Sequence, residues 1–226
     1  MNILTRSLLI SATCFSIHST HASANTLITF DDLAPGTSGH FAIPNGYAGF
    51  NWSNFYVENA SLAQQNPSGY GYGTITPQNV AYNGYGDPAS ILTAVSGAGF
   101  GLVSGYFTGA WNNGLTVTAS GTYESGATIT TSFIVSATSP TLEHFNWADL
   151  ASVTFRTAGG TPAGFIGGGQ GTQFVLDNLS VSTAKTPPVP IPPSVLMFAT
   201  GLLGLGAFRK KKVQVQNLHD TMTAKA

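Results

Sequence analysis

Few side chains in this sequence have the types and spacing that catalysis requires. Of the five histidines, only His40 and His144 lie between residues 25 and 184, and their spacing does not fit a zinc site. His144 stands beside Glu143 and near Asp149, but no G-x-S-x-G elbow supplies a nucleophilic serine. A glycosidase needs two carboxylates at a suitable separation, and the acidic residues of this sequence are numerous enough to include such a pair. We predict a packed or surface His144, no catalytic residues, and a protein that is not an enzyme.

Four tyrosines, each close to a glycine, lie in a Gly/Tyr/Asn-rich segment over residues 60–90. An aromatic ring can stack on the apolar face of a pyranose, so the four form a candidate ligand-binding platform for sugar: Tyr70, Tyr72, Tyr82 and Tyr85. The alternative, which we favour, is that loop tyrosines pack over the edges of a sheet. Either way, the segment predicts long surface loops, where binding residues often lie.

The charges divide the chain into an acidic middle and basic ends. Between residues 25 and 184, Arg156 is the only Lys or Arg, against eight acids, which gives a net charge of −7. Such a domain cannot neutralise a run of phosphates, so we expect no nucleic-acid partner. The one cysteine, Cys14, lies in an N-terminal apolar stretch, and its context fits a lipidation site poorly. Disulfides and thiolate chemistry are therefore not expected in the middle.

Short strand-like runs separated by turn residues fill residues 25–184, without helical periodicity. Strands are predicted over 26–33, 48–59, 99–111, 115–136 (with a turn at 124–126), 151–159 and 172–182. The glycine loop over 162–171 lacks the lysine of a phosphate cradle and predicts a flexible turn. Many short strands with glycine-rich turns favour an all-β fold, a β-sandwich of jelly-roll type.

The N-terminal 24 residues have the three parts of a secretory signal peptide. Arg6 supplies a positive start, residues 7–17 supply an apolar core, and Ala22 and Ala24 frame a small-x-small cleavage site. A buried N-terminal helix is the alternative, but the core is short and small residues follow it. We predict export by the Sec route, with signal peptidase cleaving after Ala24.

The C-terminal end combines three features in a fixed order. Residues 186–193 are proline-rich, residues 194–208 are apolar and uncharged, and four cations follow directly. The apolar run of about 15 residues is shorter than the ~20 that span a bilayer comfortably. Adjacent cations resist translocation, so this pattern predicts a short transmembrane helix with residues 25–184 outside the cytoplasm.

This order of features resembles the PEP-CTERM sorting signal, in the variant that carries Val-Pro-x-Pro. By position, Val189, Pro190 and Pro192 match the recognition motif, and the stop cluster is matched by Arg209, Lys210, Lys211 and Lys212. The resemblance covers residues 185–212 and implies an exosortase as partner. It also implies transient residence in the inner membrane of a Gram-negative bacterium, followed by release to the cell surface or extracellular matrix. The polar residues 213–226 depart from the family pattern, and we interpret them as a cytoplasmic remnant.

Residues 25–184 open with ITFDDL (28–33), continue with GFNWSNFYV (49–57) and close with FVLDNLSV (174–181). In this outline they also look like a domain type common in PEP-CTERM proteins, similar to jelly-roll and galactose-binding-like sandwiches. That resemblance implies that the first and last strands lie side by side. It would bring together two motifs, Asp31-Asp32 and Asp177-Asn178. Oxygen ligands of this kind suit a structural Ca²⁺, the one cofactor that we consider. The alternative is that Asp and Asn cap turns by bonding their own backbone.

Together these features favour an exported, non-catalytic surface or matrix protein that contacts exopolysaccharide in a biofilm. A secreted hydrolase acting on polysaccharide is the rival interpretation. A purely structural adhesin or coat protein is the third.

The length of the tail leads to a first prediction. Because the apolar run is short and interrupted by prolines, it is a poor permanent anchor, and we expect cleavage near Val189–Pro192. Mass spectrometry of surface protein should then find a C-terminus upstream of Ser194. A membrane-retained species ending at Ala226 would instead show that the tail is an anchor.

Overall fold

Strands make up most of the described chain, because β-branched and aromatic residues alternate there with small polar ones. The computed structural model describes residues 25–36, 39–63, 67–94, 98–166 and 168–183. The eleven strands are β1 Asn25–Ile28, β2 His40–Ala42, β3 Phe50–Ser53, β4 Phe55–Asn59, β5 Asn79–Asn83, β6 Ala89–Thr93, β7 Phe100–Gly109, β8 Asn112–Tyr123, β9 Thr128–Val135, β10 Thr141–Pro162 and β11 Phe174–Thr183. Two single-turn helices, α1 Ala60–Ala63 and α2 Gly69–Tyr72, precede β5.

The described residues belong to the first of two units into which the chain divides, Met1–Lys185 and Thr186–Ala226. The predicted signal peptide and sorting tail lie outside the described residues. Within the described ranges, no helix is long and apolar enough to cross a membrane.

The strands form a sandwich of two layers, which the 22-residue strand β10 joins. Its residues 141–150 pair with β7, and its residues 150–162 pair with β8. The register shifts between these halves, and Asn146 and Asp149 have φ values of 52° and 55°, which marks the bend. The first layer contains β2, β4, β5, β11, β7 and the first half of β10, with β1 beside β11. The second layer contains β3, β6, the second half of β10, β8 and β9.

Aromatic rings from both layers fill the space between them. Phe107 and Phe174 of the first layer meet Phe155 of the second, with ring centroids 5.5 and 5.6 Å from Phe155. All three side chains are fully buried. Tilted aromatic contacts of this kind add to the free energy gained by removing the rings from water. These contacts between the two layers fix the position of the first layer, whose outer face is described below.

Most of the predicted strands are confirmed. The hairpin predicted over 115–136 is β8 and β9 with a turn at Glu124–Gly126. Of the loop predicted over 162–171, residues 163–166 and 168–171 carry neither strand nor helix. The predicted strand over 48–59 is broken into β3 and β4 at Asn54, which has a φ of 55°. Its side chain Nδ2 donates to the carbonyls of Gly84 and Pro88, at 3.1 and 3.2 Å. The prediction over 151–159 captured only the second half of β10.

The prediction of long surface loops over 60–90 is wrong in its central part. The segment contains α1, α2 and all of β5, which pairs with β4 on one side and β11 on the other. Val80 and Ala81 are fully buried there. Short flanking runs of glycine, proline and asparagine resemble loop composition, and burial of the strand on both faces overrides that signal.

Candidate functional site

The two acidic motifs lie close together because the first and last strands pair. β1 is antiparallel to β11, with Ile28 opposite Leu179. This confirms the expectation that the first and last strands are neighbours. Past Ile28, Phe30 has a φ of 64° and turns the chain, so that the charge of Asp31 acts on Asp177.

Asp177 is a buried carboxylate that accepts backbone N–H groups. Its Oδ2 accepts hydrogen bonds from the amides of Ile75 and Thr76, at 2.7 and 3.0 Å. Its Oδ1 accepts one from the amide of Asn178 at 2.6 Å. Burial raises the pKa of Asp177 from 3.8 to about 6, although these hydrogen bonds act in the opposite direction. The carboxylate therefore ties the chain before β5 to the outer face of β11.

The neighbouring polar side chains act on the same short segment. The Asn178 Oδ1 accepts a hydrogen bond from the Thr76 hydroxyl at 2.9 Å, and the Asp31 Oδ1 accepts one from the Asn79 amide at 3.0 Å. The side-chain amide of Asn79 in turn donates to the carbonyls of Phe30 and Leu33, at 3.0 and 2.7 Å. The motifs thus anchor the backbone of residues 75–79.

The predicted calcium ligands do not all point to one place. Asp32 accepts the Tyr47 hydroxyl at 2.6 Å, and three backbone amides surround the carboxylate of Asp177. Within the described ranges, no group of three or more His, Cys, Asp and Glu residues is placed to hold a metal ion. The surroundings of Asp177 fit a hydrogen-bond acceptor better than a cation ligand. They favour the alternative in which these side chains bond backbone groups, and the calcium hypothesis is left to the test below.

The segment of residues 67–78 lies across the outer face of the first layer. The Gly69 amide donates to the Ala110 carbonyl at 2.8 Å, and a Cβ at Gly69 would collide with the backbone of Gly109. This close approach requires glycine. It inserts Tyr70 into a second small core, which contains Ala60, Val80, Ala110 and Val175.

Five aromatic rings form a continuous row on this face, which we call the aromatic row: Tyr85, Tyr56, Tyr82, Tyr70 and Trp111. Successive ring centroids are 6.5, 5.6, 5.2 and 5.6 Å apart. Tyr56 and Tyr82 are directly opposite each other on β4 and β5, and Tyr56 alternates with the core residues Phe55 and Val57. The rings of this pair therefore point away from the sandwich core.

Exposure varies along the aromatic row. Tyr85 is 84% exposed, Tyr56, Tyr82 and Trp111 are half-buried, and Tyr70 is buried beneath them. Burial raises the pKa of Tyr82 to about 12, so its hydroxyl stays protonated at physiological pH and can donate a hydrogen bond.

The structure thus divides the four predicted tyrosines. Tyr82 and Tyr85 belong to the exposed part of the row, whereas Tyr70 supports it from below. Tyr72 lies apart and stacks on Phe165, with centroids 6.0 Å apart. Sequence reasoning missed Tyr56 and Trp111. The alternation in β4 could have indicated Tyr56, because the residues on either side of it are apolar.

A carboxylate accompanies the aromatic row. Glu58 is two residues beyond Tyr56 on β4, and its charge acts on both Tyr70 and Tyr82. Burial raises the pKa of Glu58, and the nearby His40 partly offsets that effect, with Nδ1 3.9 Å from the carboxylate. Aromatic rings with one convergent polar group are typical of small-molecule and cofactor sites.

The histidine considered for catalysis lies elsewhere. Glu143 and His144 are successive residues of β10, of which His144 is exposed and Glu143 half-buried. Burial raises the pKa of Glu143, and the neighbouring His144 opposes this shift.

Comparisons with known proteins add likenesses of fold alone. No family model matches the chain, and no curated protein matches it. A structure of TmCBM61 in complex with β-1,4-galactotriose is 10% identical with a TM-score of 0.35, and the match covers 61% of this chain and 93% of that one. The CBM22-1 xylan-binding domain from Paenibacillus barcinonensis Xyn10C is 12% identical with a TM-score of 0.37, over 74% of this chain and 100% of that one.

The tandem CBM22-1–CBM22-2 domain of the same protein is 13% identical with a TM-score of 0.36, over 76% of this chain. The match spans 50% of that tandem domain. At these TM-scores the likenesses carry no argument about function.

The raised pKa of Asp177 predicts a pH dependence of stability. The folded chain binds a proton at this carboxyl more tightly than the unfolded chain does, so this group lowers the free energy of unfolding as pH rises from about 4 to about 6. Asp177→Asn should reduce that loss, by no more than about 3 kcal/mol. Urea unfolding at pH 4 and pH 7 measures it, with the exposed Asp87→Asn as control. Equal losses in wild type and Asp177→Asn would contradict the assignment.

The calcium prediction has a separate test. Since backbone amides occupy both oxygens of Asp177, we expect the same melting temperature in calcium and in excess chelator. A rise in calcium that Asp31→Asn abolishes would instead establish the calcium site.

Proposed function

We propose that this chain is an exported, non-catalytic protein that binds a polysaccharide along the aromatic row. The observation that carries the proposal is the continuous chain of rings from Tyr85 to Trp111 on the outer face of the first layer. The C–H groups of a pyranose face are apolar, so stacking on a ring removes apolar surface from water. Tyrosine also has few rotatable bonds, which limits the entropy lost on binding.

The charges of the domain favour a neutral glycan as the ligand. Glu58 lies beside the rings, and Arg156 on β10 is the only Lys or Arg between residues 25 and 184. An acidic polymer would meet repulsion without a compensating cation. The carboxylate of Glu58 and the hydroxyl of Tyr82 provide an acceptor and a donor for sugar hydroxyls.

The delivery of the domain is a further part of the proposal. The signal peptide, the Val189–Pro192 motif and the basic cluster support export, recognition by an exosortase and release to the surface or matrix. The finer description of the fold as jelly-roll or galactose-binding-like belongs to the same proposal and is supported by the pairing of β1 with β11.

The aromatic row predicts which tyrosine matters for binding. Tyr85→Ala should weaken binding to the best ligand of a glycan array about tenfold or more, equivalent to about 1.4 kcal/mol. Tyr72→Ala is the matched control, because it removes an exposed tyrosine that stacks on Phe165 outside the row.

Equal losses in both variants would contradict the assignment to the row. Reducing-sugar release from the same ligands separates this proposal from a hydrolase. Turnover without detectable binding would overturn it.

A further inference from the structure

The strand β9 forms an edge of the second layer. Within the described ranges it pairs with β8 alone, in continuous register from Thr128 to Val135. Six of its eight residues are β-branched, and none is charged or proline. An edge with these properties presents unpaired backbone groups and favours pairing with another strand.

The other edges carry features that discourage pairing. β1, β2 and β3 have only four, three and four residues. The first half of β10 contains register shifts, together with Glu143 and His144. Short length, bulges and charge are the means by which proteins protect sheet edges. β9 lacks all three.

We propose that two copies of this chain pair through β9, antiparallel and with two-fold symmetry. This assembly is independent of the polysaccharide and extends the second layer of one copy into that of the other. In a two-fold antiparallel interface, a residue that precedes the central residue lies opposite the residue that follows the centre by the same number of positions in the other copy. With the centre at Thr131, each copy places Thr130 opposite Ser132 of the other, and Ile129 opposite Phe133.

The side chains of β9 are complementary to themselves in that register. Thr130 and Ser132 already form hydroxyl pairs with β8, to Ser120 at 3.2 Å and to Thr118 at 2.9 Å. Opposed hydroxyls on the same face continue this pattern into the second copy. On the other face, an isoleucine meets a phenylalanine, which is a favourable cross-strand pair.

The charges also allow a second copy at this edge. Two copies of an acidic domain repel each other, so a self-pairing strand must avoid placing acids opposite acids. Glu124, in the turn before β9, is the acid closest to it in sequence. In the proposed register it lies across from Thr138 rather than from its own counterpart. A positively charged partner has no acid on β9 to contact, so the observations favour a second copy.

Single-cysteine variants of the full chain test the pairing and its register, with Cys14→Ser as background. Thr131→Cys places one thiol beside its own counterpart, so mild oxidation should give a covalent dimer. Thr128→Cys is the matched control, because it lies on the same exposed strand but about 20 Å from its counterpart in this register. Absence of the Thr131→Cys dimer, or equal dimer from both variants, would overturn the proposal.

A second measurement uses two differently tagged copies of the full chain. We expect them to co-purify, and Thr130→Lys should reduce the recovered partner at least tenfold because two lysines would enter the interface. Thr161→Lys adds the same charge at an exposed residue of β10, from which β8 separates β9. It should leave recovery unchanged. Unchanged recovery with Thr130→Lys would contradict pairing through β9.

Discussion

The outer face of the first layer depends on one buried carboxylate. Asp177 holds the amides of Ile75 and Thr76, and this contact fixes the end of the segment that crosses the sheet. The same segment inserts Tyr70 beneath Tyr82 and Trp111. Without that anchor, the single-turn helices have too few internal hydrogen bonds to hold their position. The positions of these rings therefore depend on the hydrogen bonds that Asp177 of β11 accepts.

The meeting of the domain's two ends adds a second carboxylate to that contact. β1 lies beside β11, which brings Asp31 next to Asp177 and to the segment that both carboxylates bind. Burial and, to a smaller extent, repulsion by Asp31 disfavour the ionised form of Asp177, whereas three amide donors favour it. The chain accepts an energetically costly carboxylate at this place because an apolar residue would leave backbone amides without an acceptor.

The sequence allows the two-layered β architecture to be predicted, together with the acidic motifs, because both depend on local patterns. The alternation of apolar and polar residues over 115–136 correctly predicts β8 and β9, because each of these strands has one buried face. By contrast, the strand Asn79–Asn83 is buried on both faces, and its sequence pattern predicts a loop. The bend in β10 depends on tertiary contacts, which the sequence pattern does not show. Tyr85 could be proposed from composition alone, whereas Tyr56 and Trp111 join it only through the folding of distant strands.

The proposed binding and the proposed self-pairing use different layers of the sandwich. The aromatic row is on the outer face of the first layer, and β9 is the edge of the second, so pairing through β9 does not cover the row. A pair of copies therefore presents two rows on one particle. When two sites reach the same polymer, the second contact becomes intramolecular, and weak individual sites give a larger overall affinity. Open rows of tyrosine bury little of a ligand and gain most from such pairing. A self-complementary edge therefore suits the polysaccharide binding that we propose.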